Sequence, residues 1–61
     1  MTFVEFVDIK MGTIYVNPMK IVTVGPNIAT GGSVIEVKTD QFIQVAEGIE
    51  EIVDRIESAL P

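Results

Sequence analysis

Ile14-Tyr15-Val16-Asn17-Pro18-Met19-Lys20-Ile21-Val22-Thr23-Val24 (IYVNPMKIVTV) sets two β-prone runs around an Asn-Pro pair that neither run can absorb. Proline fixes φ near −65° and carries no N–H, so it cannot sit in a central strand; it suits the first position of a short helical turn. The Asn17 side-chain oxygen can cap such a turn or close an Asx-turn. The pair is therefore read as a corner that ends one strand, Thr13 to Val16, and redirects the chain through Met19-Lys20 into the next, Ile21 to Val24.

Upstream of the corner, Phe3 to Ile9 (FVEFVDI) is β-prone, with Glu5 and Asp8 interrupting the apolar residues. Lys10-Met11-Gly12-Thr13 then closes a hairpin, in which Gly12 can supply a positive φ. Downstream, GPNIATGGS is the longest irregular segment and is expected to form a mobile tip that exposes Ile28. Val34 to Thr39 is the fourth strand, Thr39-Asp40 a turn, and Phe42 to Val45 the fifth strand. From Glu47 the period changes from two to about 3.6. Ile49, Ile52, Val53, Ile56 and Leu60 fall on one helical stripe, opposite Glu50, Glu51, Asp54, Glu57 and Ser58. Glu47, Glu50 and Glu51 suit the positive end of the helix dipole, and Pro61 ends helix and chain.

The expected fold is α+β and mainly β. About five short antiparallel strands within residues 3–45 form a curled sheet or small barrel, followed by one amphipathic helix at about 47–60, all in a single small domain over 1–61. Adjacent apolar pairs, Phe3-Val4, Ile21-Val22 and Val34-Ile35, depart from the alternation of a strand with one wet face. Both faces of the sheet are thus expected to be partly covered, one by the helix and the other by curling or by a second subunit.

Composition narrows the function. A chain of 61 residues buries only about 60% of the surface its unfolded form exposes. There are no cysteines and no histidines, so neither a disulfide framework nor the usual zinc sites can stabilise it. Yet 48% of its residues are hydrophobic and its mean hydropathy is +0.44, which points to apolar area buried against another copy, most simply in a two-fold dimer. The net charge of −5 argues against binding phosphate backbones, since only Lys10, Lys20, Lys38 and Arg55 are available to neutralise them. No apolar run approaches the roughly 20 residues that span a bilayer. MTFVEFVDIK lacks the basic start of a signal peptide. A soluble, cytoplasmic protein without a membrane partner is the expectation.

Catalysis is not expected. Without His or Cys, only Ser33, Ser58, the threonines and the lysines remain as nucleophiles, and none has the usual base. The carboxylate pairs Glu50 with Asp54 and Glu47 with Glu51 lie on a solvated helix face that implies no cleft for paired-carboxylate chemistry. Gly25, Gly31 and Gly32 fit neither GxGxxG nor a P-loop. Phe3, Phe6, Tyr15 and Phe42 lack the basic groove of a base-stacking platform and are read as core. No catalytic, cofactor-binding or metal-ligating residue is assigned. The candidate partner-binding residues are Glu50, Asp54 and Glu57, as an acidic strip for a basic protein, and the exposed Ile28; Asn17 and Pro18 are structural.

Ile14-Tyr15-Val16-Asn17-Pro18, the run Lys20 to Val24, a glycine-containing loop, the strand Val34 to Thr39, Ile43-Gln44-Val45 and Glu47-Gly48-Ile49-Glu50-Glu51-Ile52 together resemble the FlbD/SwrD family of flagellar and swarming-motility accessory proteins, and similar short bacteriophage proteins. The resemblance covers roughly Lys10 to Ile56. It departs from the pattern at Gly48, where a capping Ser is usual, and at Thr39-Asp40, in place of a glycine-containing hairpin turn. It implies a non-enzymatic accessory role in a bacterium or phage. Val45 to Ile56 (VAEGIEEIVDRI) is also similar to the last strand and helix of the carbon-storage regulator, an intertwined dimer, although the arginine-bearing RNA-binding segments of that family have no counterpart here. That likeness implies a regulator of that fold, or, from the acidic helix, an inhibitor of a nucleic-acid-binding protein.

Overall fold

The computed structural model describes residues 2–38 and 40–60. Five strands, β1 (Val4–Asp8), β2 (Gly12–Val16), β3 (Ile21–Pro26), β4 (Ser33–Val37) and β5 (Gln41–Val45), precede one helix, α1 (Ile49–Ala59). The strands form two antiparallel sheets, β1-β2 and β3-β4-β5, which are not closed into a barrel. The small barrel that was one form of the expected sheet is therefore not formed. Thr39, assigned by sequence to a strand end and a turn, and Pro61, assigned to the helix stop, lie outside the described residues.

The hairpin forms as its turn chemistry requires. Gly12 has φ +83°, a conformation that costs an L side chain energy and glycine little. Asp8 and Gly12 close the register, which runs back to Val4 opposite Val16. At the corner, the Asn17 carboxamide oxygen accepts from the Met19 N–H at 3.0 Å. Pro18 opens a single 3₁₀ turn, Pro18–Lys20. Pro18 is itself buried, so the corner is also a packing element.

The adjacent apolar residues have local explanations. Phe3 precedes β1 and is exposed. In β3 the register jumps, with Ile21 opposite Val37 but Thr23 opposite Glu36. Val22 is the extra residue of a β-bulge. The bulge places both Ile21 and Val24 against the core, three positions apart, whereas a regular strand would send them to opposite faces. Val22 itself is exposed.

One core joins the two sheets and the helix: Val4 and Phe6 from β1, Ile35 and Val37 from β4, Ile43 and Val45 from β5, and Ile52 and Ile56 from α1. Each such side chain contributes about 1.5–3 kcal/mol on burial. The helix begins two residues later than the sequence suggests, at Ile49, with Gly48 at the cap position and no side-chain cap. Only the middle of its apolar stripe is buried; Ile49 and Leu60, at its ends, are exposed. The Cα radius of gyration is 10.5 Å, matching the roughly 10.5 Å expected of a globular chain this long. The core is thus complete in one chain, and any oligomer would cover surface rather than fill a gap.

Candidate functional site

The β1-β2 hairpin carries several exposed apolar side chains. Because β1 alternates, Val4, Phe6 and Asp8 point inward, leaving Glu5 and Val7 outward, opposite Tyr15 and Thr13 of β2. Phe3 precedes the strand, and Ile9 and Met11 lie in the turn. The five apolar side chains Phe3, Val7, Ile9, Met11 and Tyr15 are between 49% and 78% exposed. Singly scattered apolar residues are normal on a surface; five within one hairpin are more than that. The sequence reading that placed Phe3 and Tyr15 in the core is corrected here, as is that for Phe42, which is 61% exposed on the outward side of β5 opposite Glu36. Alternation alone cannot say which side of a strand is covered; of these four aromatics only Phe6 is buried.

What holds the hairpin in place is Asp8, which sequence reading treated as an interruption. It is 7% exposed. One carboxylate oxygen accepts from the Lys10 and Met11 N–H groups at 2.8 and 2.9 Å, closing the turn, and the other accepts from the Gln44 N–H at 3.1 Å. The Ile9 N–H donates to the Gln44 carbonyl at 2.9 Å. These bonds occupy the outward backbone groups of β5 at Gln44 and blunt that sheet edge. They also hold the Asp8 carboxyl below the usual carboxylate range: the Met11 N–H contributes most, then Lys10 and Gln44, against an opposing contribution from burial.

The acidic residues sort into two groups. Arg55 draws Glu47 and Glu51 to itself at 3.3 and 3.0 Å, donates to the Glu5 carbonyl at 3.3 Å, and stands 5.8 Å from the Phe6 ring centre. Glu50, Asp54 and Glu57 remain as an exposed stripe along α1, with no ion pair among the described residues. Glu50 shares a shallow groove with Pro26, Gly31 and Gly32 at the base of the β3-β4 loop, and Glu57 lies beside Val22 and Val24.

Ile28 stands at the tip of that loop, 94% exposed, and does not line the Glu50 groove. The loop is shorter and more ordered in its bonding than the sequence suggests, since β3 extends to Pro26 and β4 starts at Ser33. Asn27 organises it: its N–H donates to the Gly32 carbonyl, its own carbonyl accepts from Thr30 and Gly31, and its side chain bonds Ala29 and Gln44. Ser33 is fully buried and donates to the Glu47 carbonyl at 2.8 Å, fastening the start of β4 to the segment entering α1. Its hydroxyl serves as a structural donor.

Lys20 and Lys38, adjacent through a Lys38 N–H to Lys20 carbonyl bond of 2.9 Å, line a groove with Tyr15, Val16, Asn17 and Val37. This pairing is not visible in the sequence, where the two lysines stand eighteen positions apart. Among the described residues no helix is long and apolar enough to cross a membrane, and no cluster of three metal-ligating side chains occurs. No protein-family model, curated protein or solved structure matches the chain.

Proposed function

We propose that this protein is a small accessory protein that acts through protein–protein contacts, as a homo-oligomer and most simply a two-fold dimer, and not as an enzyme. The observation that carries the reading is the set of exposed apolar side chains on the hairpin, Phe3, Val7, Ile9, Met11 and Tyr15. It holds apolar area outside a core that is already closed, with Glu5 its one acid. A face of this composition matches a second copy of itself, because a two-fold contact places the same patch on both sides. The resemblance to FlbD/SwrD accessory proteins supports the same non-enzymatic role.

Sedimentation velocity across the micromolar range tests it. Wild type is expected to dimerise with rising concentration, whereas the double variant Val7→Lys, Tyr15→Lys is expected to stay monomeric with an unchanged far-UV CD spectrum. A wild type that remains monomeric throughout, or a double variant that associates as wild type does, would refute the proposal.

A further inference from the structure

Lys20 and Lys38 meet side by side just beyond the end of the β3-β4 ladder, joined through their backbones, so that two like charges stand close together. Neither has an acidic partner within ion-pair distance among the described residues, although the chain has nine acids and four basic residues. The walls between them are apolar, Val16 and Val37, with the exposed Tyr15 ring on one side. We infer that this groove receives the acidic stripe of α1 from a second copy, with Glu50 and Asp54 against Lys20 and Lys38. The inference rests on the self-association proposed above and names a contact within it.

Spacing and charge both favour this occupant. Glu50 and Asp54 are at i and i+4, so their Cβ atoms are about 5–6 Å apart. Lys20 and Lys38 lie just beyond the Ile21–Val37 pair that ends the β3-β4 ladder, joined by the Lys38 N–H to Lys20 carbonyl bond, so their side chains leave neighbouring backbone positions. Two carboxylates one helical turn apart can thus meet two ammonium groups carried on long, flexible side chains from adjacent backbone positions. The repulsion between two chains of net charge −5 is screened beyond a Debye length of about 8 Å at physiological ionic strength, whereas ion pairs in contact are screened much less. In a two-fold dimer the contact occurs twice, the groove of each copy against the helix of the other, and adds to the hairpin contact without replacing it.

Charge reversal in the intact protein tests the contact. Lys20→Glu with Lys38→Glu, or Glu50→Lys with Asp54→Lys, should each raise the self-association constant Kd about tenfold, since two surface pairs are lost and turned repulsive. Mixing the two reversed proteins should restore association between them. Sodium chloride at about 1 M should weaken wild-type association, because the screening length there is only about 3 Å. Lys20→Ala with Lys38→Ala provides a milder variant should the reversed one unfold. If wild type associates but neither reversal nor salt changes it, the groove contact is refuted while the hairpin reading stands; if wild type never associates, both fall. Inorganic phosphate that shifts the Lys20 and Lys38 amide resonances while the lysine variants associate normally would make the groove a small-anion site and overturn the inference.

Discussion

Gly32→Ala offers the sharpest test of how the two halves of the chain lock together. Gly32 is buried just before β4, and its φ is not in the left-handed region. Its requirement is steric. A Cβ built there collides with the Val45 carbonyl oxygen and stands 3.0 Å from two backbone atoms of Ala46. These neighbours are backbone, held by the pairing of Ser33 with Val45 and by the Ser33 hydroxyl bond to the Glu47 carbonyl. Relief must part β4 from β5 or displace the segment that enters α1. Overpacking of this kind costs about 1–3 kcal/mol, and weakening the Ser33 bond about 1 kcal/mol more. The sum, about 2–4 kcal/mol, is a large part of the roughly 3–9 kcal/mol expected for a chain of this length. At about 4–8 °C per kcal/mol, the melting temperature followed by far-UV CD should fall by more than about 8 °C. Gly25→Ala, where a Cβ meets nothing within 4 Å and φ is not positive, should change stability by less than about 0.5 kcal/mol. Gly31→Ala, also in open space but at φ +80°, should cost about 1–2 kcal/mol through backbone strain alone. A Gly32→Ala protein that melts with Gly25→Ala would refute the steric argument.

Two further outcomes follow from the turn chemistry. Asp8 has a lowered pKa in the folded chain; its contribution to stability is therefore fully present above the unfolded carboxyl pKa of about 3.9 and is lost as pH falls through the folded value. Urea midpoints at about pH 7 and about pH 3 should differ less in Asp8→Asn than in wild type, because an amide cannot accept on both sides and does not titrate; equal differences would remove Asp8 from the pH response. Asn17→Ala should lower stability by about 1 kcal/mol through loss of the Met19 N–H acceptor, read as a shift of the urea midpoint; an unchanged midpoint would remove the capping role.

The corner at Asn17-Pro18, the hairpin at Gly12 and the register of the helical stripe were legible in the sequence because each depends on residues within a few positions of one another. Proline's missing donor, glycine's φ and a 3.6-residue period act locally, whatever the chain packs against. The start of α1 was less legible: Glu47 has a carboxylate suited to a first helical turn, but it lies outside the helix and pairs with Arg55. The exposure of Phe3, Tyr15 and Phe42 was not legible at all, since β-alternation divides a strand into two faces without saying which is wet.

By itself, then, the sequence determined five strands, their turns and one amphipathic helix, together with an acidic chain poor in the usual catalytic groups. The tertiary structure decided what those residues do. It turned Asp8 from a surface interruption into a clasp on Gln44, thirty-six positions away, made Val22 a bulge that redirects β3, and set Gly32 against the Val45–Ala46 backbone. It also brought Lys20 beside Lys38 and left the hairpin face of Val7 and Tyr15 open. Each of these depends on which strand lies beside which, and that is settled by the shared burial of Phe6, Ile35, Val45 and Ile52 in one core, a collective term that no local spacing encodes.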